Sequence, residues 1–256
     1  MISRESPALA IILARAGSKG VPGKNALVIA GKPCVVWTID ACRASRRVGA
    51  MAVSTDGAAI GDAARAAGCE VLPRPADLAG DKVTVDASAR QSVSAWESLH
   101  GRLGDDAPVV LLYGNVPIRP AGLIDRAVEL LTSTRCDSVQ SYAGVGKYHP
   151  WWTVRVDEAS GVVKPWEGDV LYHNVFRRQD LPPAQVPDGG VLVVSRRALM
   201  LEVAGAGSGP HQFLGVDRRG IVNAEGSVVD IDSAIDVHVA SAILLEQQGK
   251  KAMGGA

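Results

Sequence analysis

Residues 14–25 read Ala14-Arg15-Ala16-Gly17-Ser18-Lys19-Gly20-Val21-Pro22-Gly23-Lys24-Asn25, directly after the all-apolar run Leu9-Ala10-Ile11-Ile12-Leu13. An apolar run of that length is a buried parallel strand. A strand that empties into three glycines, a proline, a serine and three cations is followed by a loop suited to an anion. Gly17, Gly20 and Gly23 let the backbone turn its N–H groups inward and approach a ligand closely. Arg15, Lys19 and Lys24 add charge-assisted donors, enough to offset a polyphosphate. The loop differs from a P-loop, which has four residues between its glycines and a Lys-Ser/Thr ending. Here five residues separate Gly17 from Gly23, and Asn25 follows Lys24. The other reading of the loop is a basic surface turn.

Downstream, the chain alternates in short steps. Val36, Trp37, Ile39 and Cys42 recur at helical spacing over Pro33 to Ser45. Val48 to Val53 is a second strand, and Ser54-Thr55-Asp56-Gly57 breaks it, with Asp56 read as the N-cap of a helix from Ala58 to Ala67 rather than as a metal ligand. Gly68 ends that helix, and Cys69 to Leu72 is a third strand. The pattern continues with a helix from Asp86 to His100, a strand from Pro108 to Leu112, a helix from Leu123 to Leu131 and a strand from Ser138 to Ser141. Later come a strand from Gly190 to Ser195, a helix from Arg196 to Val203, and strands from Phe213 to Val216 and Ser227 to Ile231. The last helix, Ala234 to Glu246, is expected to bury Ile235, Val239, Ile243 and Leu244, with a frayed tail from Gly249 to Ala256. Such alternation predicts an α/β fold whose sheet is covered on both faces. Ligands of these sheets bind at the carboxyl ends of the strands, where the opening loop and Arg74 fall.

Between Tyr142 and Phe176 the texture changes, because seven of the eleven aromatic residues lie there without helical periodicity. A segment of this kind covers a pocket, buries itself against a partner subunit, or forms a satellite core. The 27 basic and 27 acidic residues cancel, which removes any global field that would recruit nucleic acid or an anionic membrane. Cys34, Cys42, Cys69 and Cys136 have neither CxxC spacing nor companion histidines, and read as buried residues of a reduced protein. With no apolar leader and no stretch of membrane-spanning length, the expected location is cytoplasmic.

The loop from Ala14 to Asn25 resembles the signature of the cytidylyltransferases that activate acidic sugars, the family of CMP-N-acetylneuraminate and CMP-Kdo synthetases. Three further segments match in order. They are Arg74-Pro75-Ala76-Asp77-Leu78-Ala79, then Arg178-Gln179-Asp180-Leu181-Pro182 with Pro187-Asp188-Gly189, and finally Asp230-Ile231-Asp232-Ser233 with Asp236. The resemblance implies a three-layer Rossmann-like sheet, mixed but mostly parallel, of the nucleotide-diphospho-sugar transferase type. It implies one domain over residues 1–256, with residues 142–188 inserted as an aromatic-rich arm that pairs a homodimer and reaches the neighbour's site.

The implied activity is Mg²⁺-dependent transfer of CMP from CTP to the hydroxyl of a 2-keto nonulosonic or related acid, with release of pyrophosphate. Ala14, Arg15, Gly17, Ser18, Lys19, Gly20, Lys24, Asn25 and Arg74 would hold the nucleotide, and Arg15, Lys24 and Asp232 would act in catalysis. Asp230 and Asp232, on alternate positions of an extended segment, would hold the metal; the other reading makes Asp232 a helix cap. Tyr113, Asn115, Arg119, His149, Arg178 and Gln179 are the candidates for the acid's site. At 113–119 the sialic-acid enzymes carry Gln-Pro-Thr-Ser-Pro-Leu-Arg and the Kdo enzymes Gln-Gly-Asp-Glu-Pro-Leu, where this chain has Tyr113-Gly114-Asn115-Val116-Pro117-Ile118-Arg119. Tyr113, and Trp152 in place of a lysine, point away from ordinary N-acetylneuraminate. The alternatives are another acidic acceptor, such as a phosphonate, and a catalytically silent nucleotide-binding subunit.

Overall fold

Ala8–Leu13 forms β1, and all six of its residues are buried. Alternate side chains of a strand face opposite sides of a sheet, so a strand apolar on both sides must be covered on both. In the computed structural model, which describes residues 8–253, it is. Ala8, Ala10, Ile12 and Ala14 belong to one apolar cluster and Leu9, Ile11 and Leu13 to the other.

In chain order the remaining elements are β2 (Val28–Ile29), β3 (Lys32–Pro33), α1 (Cys34–Arg43), β4 (Val48–Thr55), α2 (Ala58–Ala66), β5 (Glu70–Pro73) and α3 (Val85–His100). They continue with β6 (Pro108–Tyr113), α4 (Leu123–Thr134), β7 (Ser138–Gly144), β8 (Val154–Val156), β9 (Val163–Pro165), β10 (Gln185–Ser195), α5 (Arg196–Leu199), β11 (Arg218–Asn223) and α6 (Ala234–Met253). Seven strands make one sheet in the order β11-β7-β10-β6-β1-β4-β5. Only β10 runs against its neighbours, which makes the sheet mixed and mostly parallel, as expected. Helices α1, α2 and α4 supply Val35, Ile39, Ile60, Ala64, Leu123 and Val128 to the first cluster. Ala89 and Val93 of α3, Leu199 of α5 and Phe213 pack on the other face. A third, smaller cluster joins Ile29, Cys34, Ile118 and Ile231 to Ala240 and Leu244 of α6, and so brings the end of the chain beside the opening loop.

Several expectations are corrected. Asp56 does not cap α2: the N-cap is Gly57 in extended conformation, with no side-chain capping bond. Phe213 lies in a single 3-10 turn, Gln212–Leu214, that Gly215 ends, and the strand comes later, at Arg218–Asn223. Residues 227–231 form only one bridge, Val229 to Ile118. Helix α5 stops at Leu199 because Leu201 adopts a left-handed backbone (φ 64°). Helix α6 runs to Met253, through Gly249. It buries Ala240 and Leu244 and packs Ile243 partly, as expected of the last two, and leaves Ile235 65% and Val239 42% exposed, against expectation. The four cysteines are free and buried, and burial pushes the Cys34 and Cys42 thiols up to about 12. Among the described residues no helix is long and apolar enough to cross a membrane.

Candidate active site

A cleft of about 250 Å³ opens at the carboxyl ends of β1, β5 and β6. Arg15, Ser18, Lys24 and Asn25 line it from the opening loop, Arg74 from the end of β5, Tyr113 and Asn115 from the end of β6. The opposite wall is the segment from Leu78 to Val85 with Ser88 of α3. Residues far apart in sequence converge there because parallel strands deliver all their carboxyl ends to one edge.

Long-range bonds fix the loop at both ends. Ala14 N–H donates to the Ser54 carbonyl (3.0 Å), and Ala16 N–H donates to the Asp56 carboxylate (2.8 Å). That second bond is what Asp56 does in place of capping. Asn25 is buried, and its amide donates to the Arg15 carbonyl (2.9 Å). Its Oδ1 is buried with no hydrogen-bond partner among the described residues, and an orphaned acceptor in a ligand-sized cleft is a mark of a binding site. Gly23 turns with φ +66°, a conformation that other residues enter at a cost. Gly20 has a steric reason: a Cβ there would lie 2.1 Å from the Asp232 backbone carbonyl.

Each of the loop's three cations faces a carboxylate. Lys24 Nζ lies 2.5 Å from Asp232, while Arg15 and Lys19 lie 2.6 and 2.8 Å from the two oxygens of Asp81. Lys19 and Arg15 hold the Asp81 carboxyl below its usual range. Asp230 moves the other way: desolvation and then the neighbouring Asp232 charge push its carboxyl up. Arg74 is buried, donates to Ser54 Oγ (3.2 Å) and the Ser54 carbonyl (3.0 Å), and is lowered by burial against the opposing pull of Asp56. Burial likewise raises the Tyr113 phenol.

The helix-cap reading of Asp232 fails on geometry. Asp236 accepts the backbone N–H groups of Asp232 (3.0 Å) and Ser233 (2.6 Å), and the Ser233 hydroxyl (2.8 Å). The Asp232 carboxylate therefore points to Lys24 and is available for the cleft. Among the described residues no group of three or more His, Cys, Asp or Glu side chains is gathered as a metal site. Asp230 and Asp232 do not line the cleft, and Lys24 links Asp232 to it; the two carboxylates are hard oxygens of the type that bind small divalent cations.

Not every candidate for the acid site reaches the cleft. Arg119 is one that does not line it: its guanidinium, lowered to about 10 by burial, donates to the Gly190 carbonyl (3.0 Å) and Thr38 Oγ1 (3.2 Å), and its Nη2 is buried with no partner among the described residues. His149 is another. Its Nδ1 accepts from Trp151 N–H (3.1 Å), so Nε2 carries the proton and donates to the Pro182 carbonyl (3.0 Å); it locks the base of the aromatic segment. Arg178 lies on that segment, paired with Glu225 at 2.5 Å, and Gln179 is exposed beside it. Neither lines this chain's own cleft. Asn115 lines it, yet its amide is tied to the Ile231 carbonyl (3.3 Å). The sequence analysis read Asp56 as a cap and did not single out Asp81, which lines the cleft. For Asp81 the signal was an acidic residue just past the Arg74–Ala79 segment.

The family model described as cytidylyltransferase matches residues 9–185. The chain is 31% identical over 196 residues to the N-acylneuraminate cytidylyltransferase of Streptococcus agalactiae serotype V, covering 76% of this chain and 45% of that protein. It therefore spans about half the length of that relative. The CMP-N,N'-diacetyllegionaminic acid synthase of Legionella pneumophila is 30% identical over 229 residues, 89% of this chain and 92% of that one. Among solved structures, a CMP:2-keto-3-deoxy-manno-octonic acid synthetase complexed with CTP superposes with a TM-score of 0.67 at 17% identity, over 94% of this chain and 100% of that chain. That likeness shows the fold.

Proposed function

The chain belongs to the cytidylyltransferase family, and from that premise we propose that it transfers CMP from CTP to a hydroxyl of an acidic sugar, releasing pyrophosphate. The observation that carries this reading is the convergence of Arg15, Lys24 and Arg74 on one cleft, with Asp232 tied to it through Lys24 and Asp230 beside Asp232. The acceptor oxygen bonds to the α-phosphorus as the bond to the β-phosphate oxygen breaks. Such displacements depend on in-line placement and charge neutralisation more than on covalent help. Lys24 and Arg15 answer the charge that grows on the leaving pyrophosphate. Asn25 holds the loop by its bond to the Arg15 carbonyl, and Arg74, held by Ser54, fixes the nucleotide's orientation.

Asp230 and Asp232 would hold Mg²⁺, which fits the donors present: two adjacent hard carboxylates, Asp230 raised by burial and then by the Asp232 charge. The cation, when bound, neutralises phosphate charge. Acceptor specificity begins at Tyr113, where an aromatic face disfavours a polar acyl-sugar that needs a hydrogen-bonding amide. N-acetylneuraminate is accordingly not the preferred acid. The aromatic segment leaves Tyr148, Trp166 and Phe176 77%, 55% and 86% exposed, which supports a homodimer formed through it. Arg178 and Gln179 would then serve the neighbour's cleft. Four free, buried cysteines support a cytoplasmic location in this reading.

Pyrophosphate release with CTP, Mg²⁺ and a panel of 2-keto sugar acids tests the proposal. The expected result is release that requires one of the acids. No release with any acid, or release with UTP or ATP and not CTP, rejects it.

A further inference from the structure

Asp81 stands on the wall of the cleft opposite the glycine loop. One of its carboxylate oxygens lies 2.6 Å from Arg15 and the other 2.8 Å from Lys19. Two oxygens of one anionic group thus occupy two donors of the cradle in the way a phosphate group does. The Lys19 side chain is 85% exposed, so nothing packs it against Asp81 except this charge. The carboxyl sits below its usual range because of these two cations, and it stays ionised at any pH at which nucleotides bind. The pairing is built within the chain, between the strand-end loop at 14–25 and the segment at 79–84 that leads into α3.

We propose that Asp81 is an internal competitor for the phosphate chain, a residue that sets the affinity for triphosphate and pyrophosphate. This rests on the reading of the cleft as a nucleotide site. A phosphate chain that takes Arg15 and Lys19 must first displace Asp81, so the intrinsic affinity is divided by the strength of the pairing. As pyrophosphate leaves, the carboxylate returns to the two cations and they are never without a partner. Asp81 thereby weakens binding of the species that must depart and shifts the balance toward release. A ligand that does not use those cations, such as cytidine, is indifferent to it.

The test is Asp81→Asn, which keeps the shape and removes the charge. Titration calorimetry of wild type and variant with inorganic pyrophosphate, and separately with cytidine, isolates the effect from catalysis. Two exposed ion pairs of ordinary strength correspond to about a two- to tenfold change in binding. Pyrophosphate is expected to bind the variant tighter by that factor, and cytidine to bind both proteins equally. Unchanged or weaker pyrophosphate binding in a variant that melts like wild type overturns the proposal, as does a wild type with no measurable affinity for pyrophosphate. Because pyrophosphate needs no acceptor and no turnover, failure of the cytidylyltransferase assay and failure of the competitor role give separate results.

Discussion

Lys24 Nζ and a carboxylate oxygen of Asp232 lie 2.5 Å apart although 208 residues separate them. The first loop of the sheet and the entry to the last helix are joined at one ion pair, whose lysine lines the cleft. Lys24→Ala is expected to lower turnover on the order of 10²-fold, the usual loss for a preorganised electrostatic group. Asp232→Asn is expected to lower turnover and shift its Mg²⁺ dependence to higher concentration. Steady-state rates over a Mg²⁺ series check both. Normal kinetics for Asp232→Asn would remove it from the metal site.

Gly20 predicts a coupling between the cradle and the aspartate pair. Its absent side chain leaves room for the Asp232 carbonyl, which an alanine would meet at 2.1 Å. Backbone must move to relieve that contact. Gly20→Ala should therefore reduce kcat/KM for CTP at least tenfold, as small misplacements of reacting groups do. Circular dichroism and a melting curve close to wild type would show that the fold survives.

Asp230 gives a pH-dependent outcome. Its folded-state pKa is raised, so its contribution favours the folded state at low pH and is lost as pH rises through the folded value. The window lies between the ordinary aspartate value near 4 and that raised value. In metal-free buffer Asp230→Asn should melt higher than wild type at pH 7, and the difference should shrink toward pH 4. Added Mg²⁺ should raise the melting temperature of wild type and not of the variant.

Asp56 separates a local role from a long-range one. Its carboxylate receives Ala16 N–H from the loop (2.8 Å) and makes no capping bond to α2. Asp56→Ala should cost about 1 kcal/mol of stability and also raise KM for CTP, since the loop loses an anchor. A helix cap would change stability alone.

The exposed aromatics predict assembly. Sedimentation at micromolar concentration should give a dimer, and Phe176→Glu, at the most exposed of them (86%), should give a monomer. A monomeric wild type would leave the aromatic segment without its assigned partner.

The sequence was most legible where composition and burial agree. β1 and its loop stand out because an apolar run meets glycines and cations within a few residues. It was least legible where one long-range contact outweighs a local rule. Ser54-Thr55-Asp56-Gly57 looks like a cap, yet Asp56 serves a backbone group 40 residues away. β11 starts with Arg218 and Arg219 because it is the sheet's edge, and an edge strand carries charge where a central one is apolar. Helix α6 misled for another reason. Ile235 and Val239 share a face with proper spacing, but the hairpin of β2 and β3 and the turn at Ile231 receive Ala240 beside the expected Leu244, and Ile235 and Val239 stay exposed. Arg119 and His149 fit the motif and still lie outside the cleft, since a motif reports position along the chain and not the direction of a side chain.

The root of the aromatic segment has a consequence for how such an enzyme can diversify. β7 leaves the sheet and β10 re-enters beside it, with Gly144 paired to Gln185 and Val145 N–H bonded to the Ala184 carbonyl (3.1 Å). The two ends of residues 145–184 are thus stitched together by backbone that belongs to the sheet. Loop closure depends weakly on length, about 0.6 kcal/mol per doubling, so the piece between the stitches can be lengthened, shortened or exchanged at small thermodynamic cost. The cleft lies at the ends of β1, β5 and β6, of which β6 pairs directly with β10 while β1 and β5 lie further across the sheet. A graft made at that seam would exchange the whole aromatic segment as one cassette without cutting β1 or its loop.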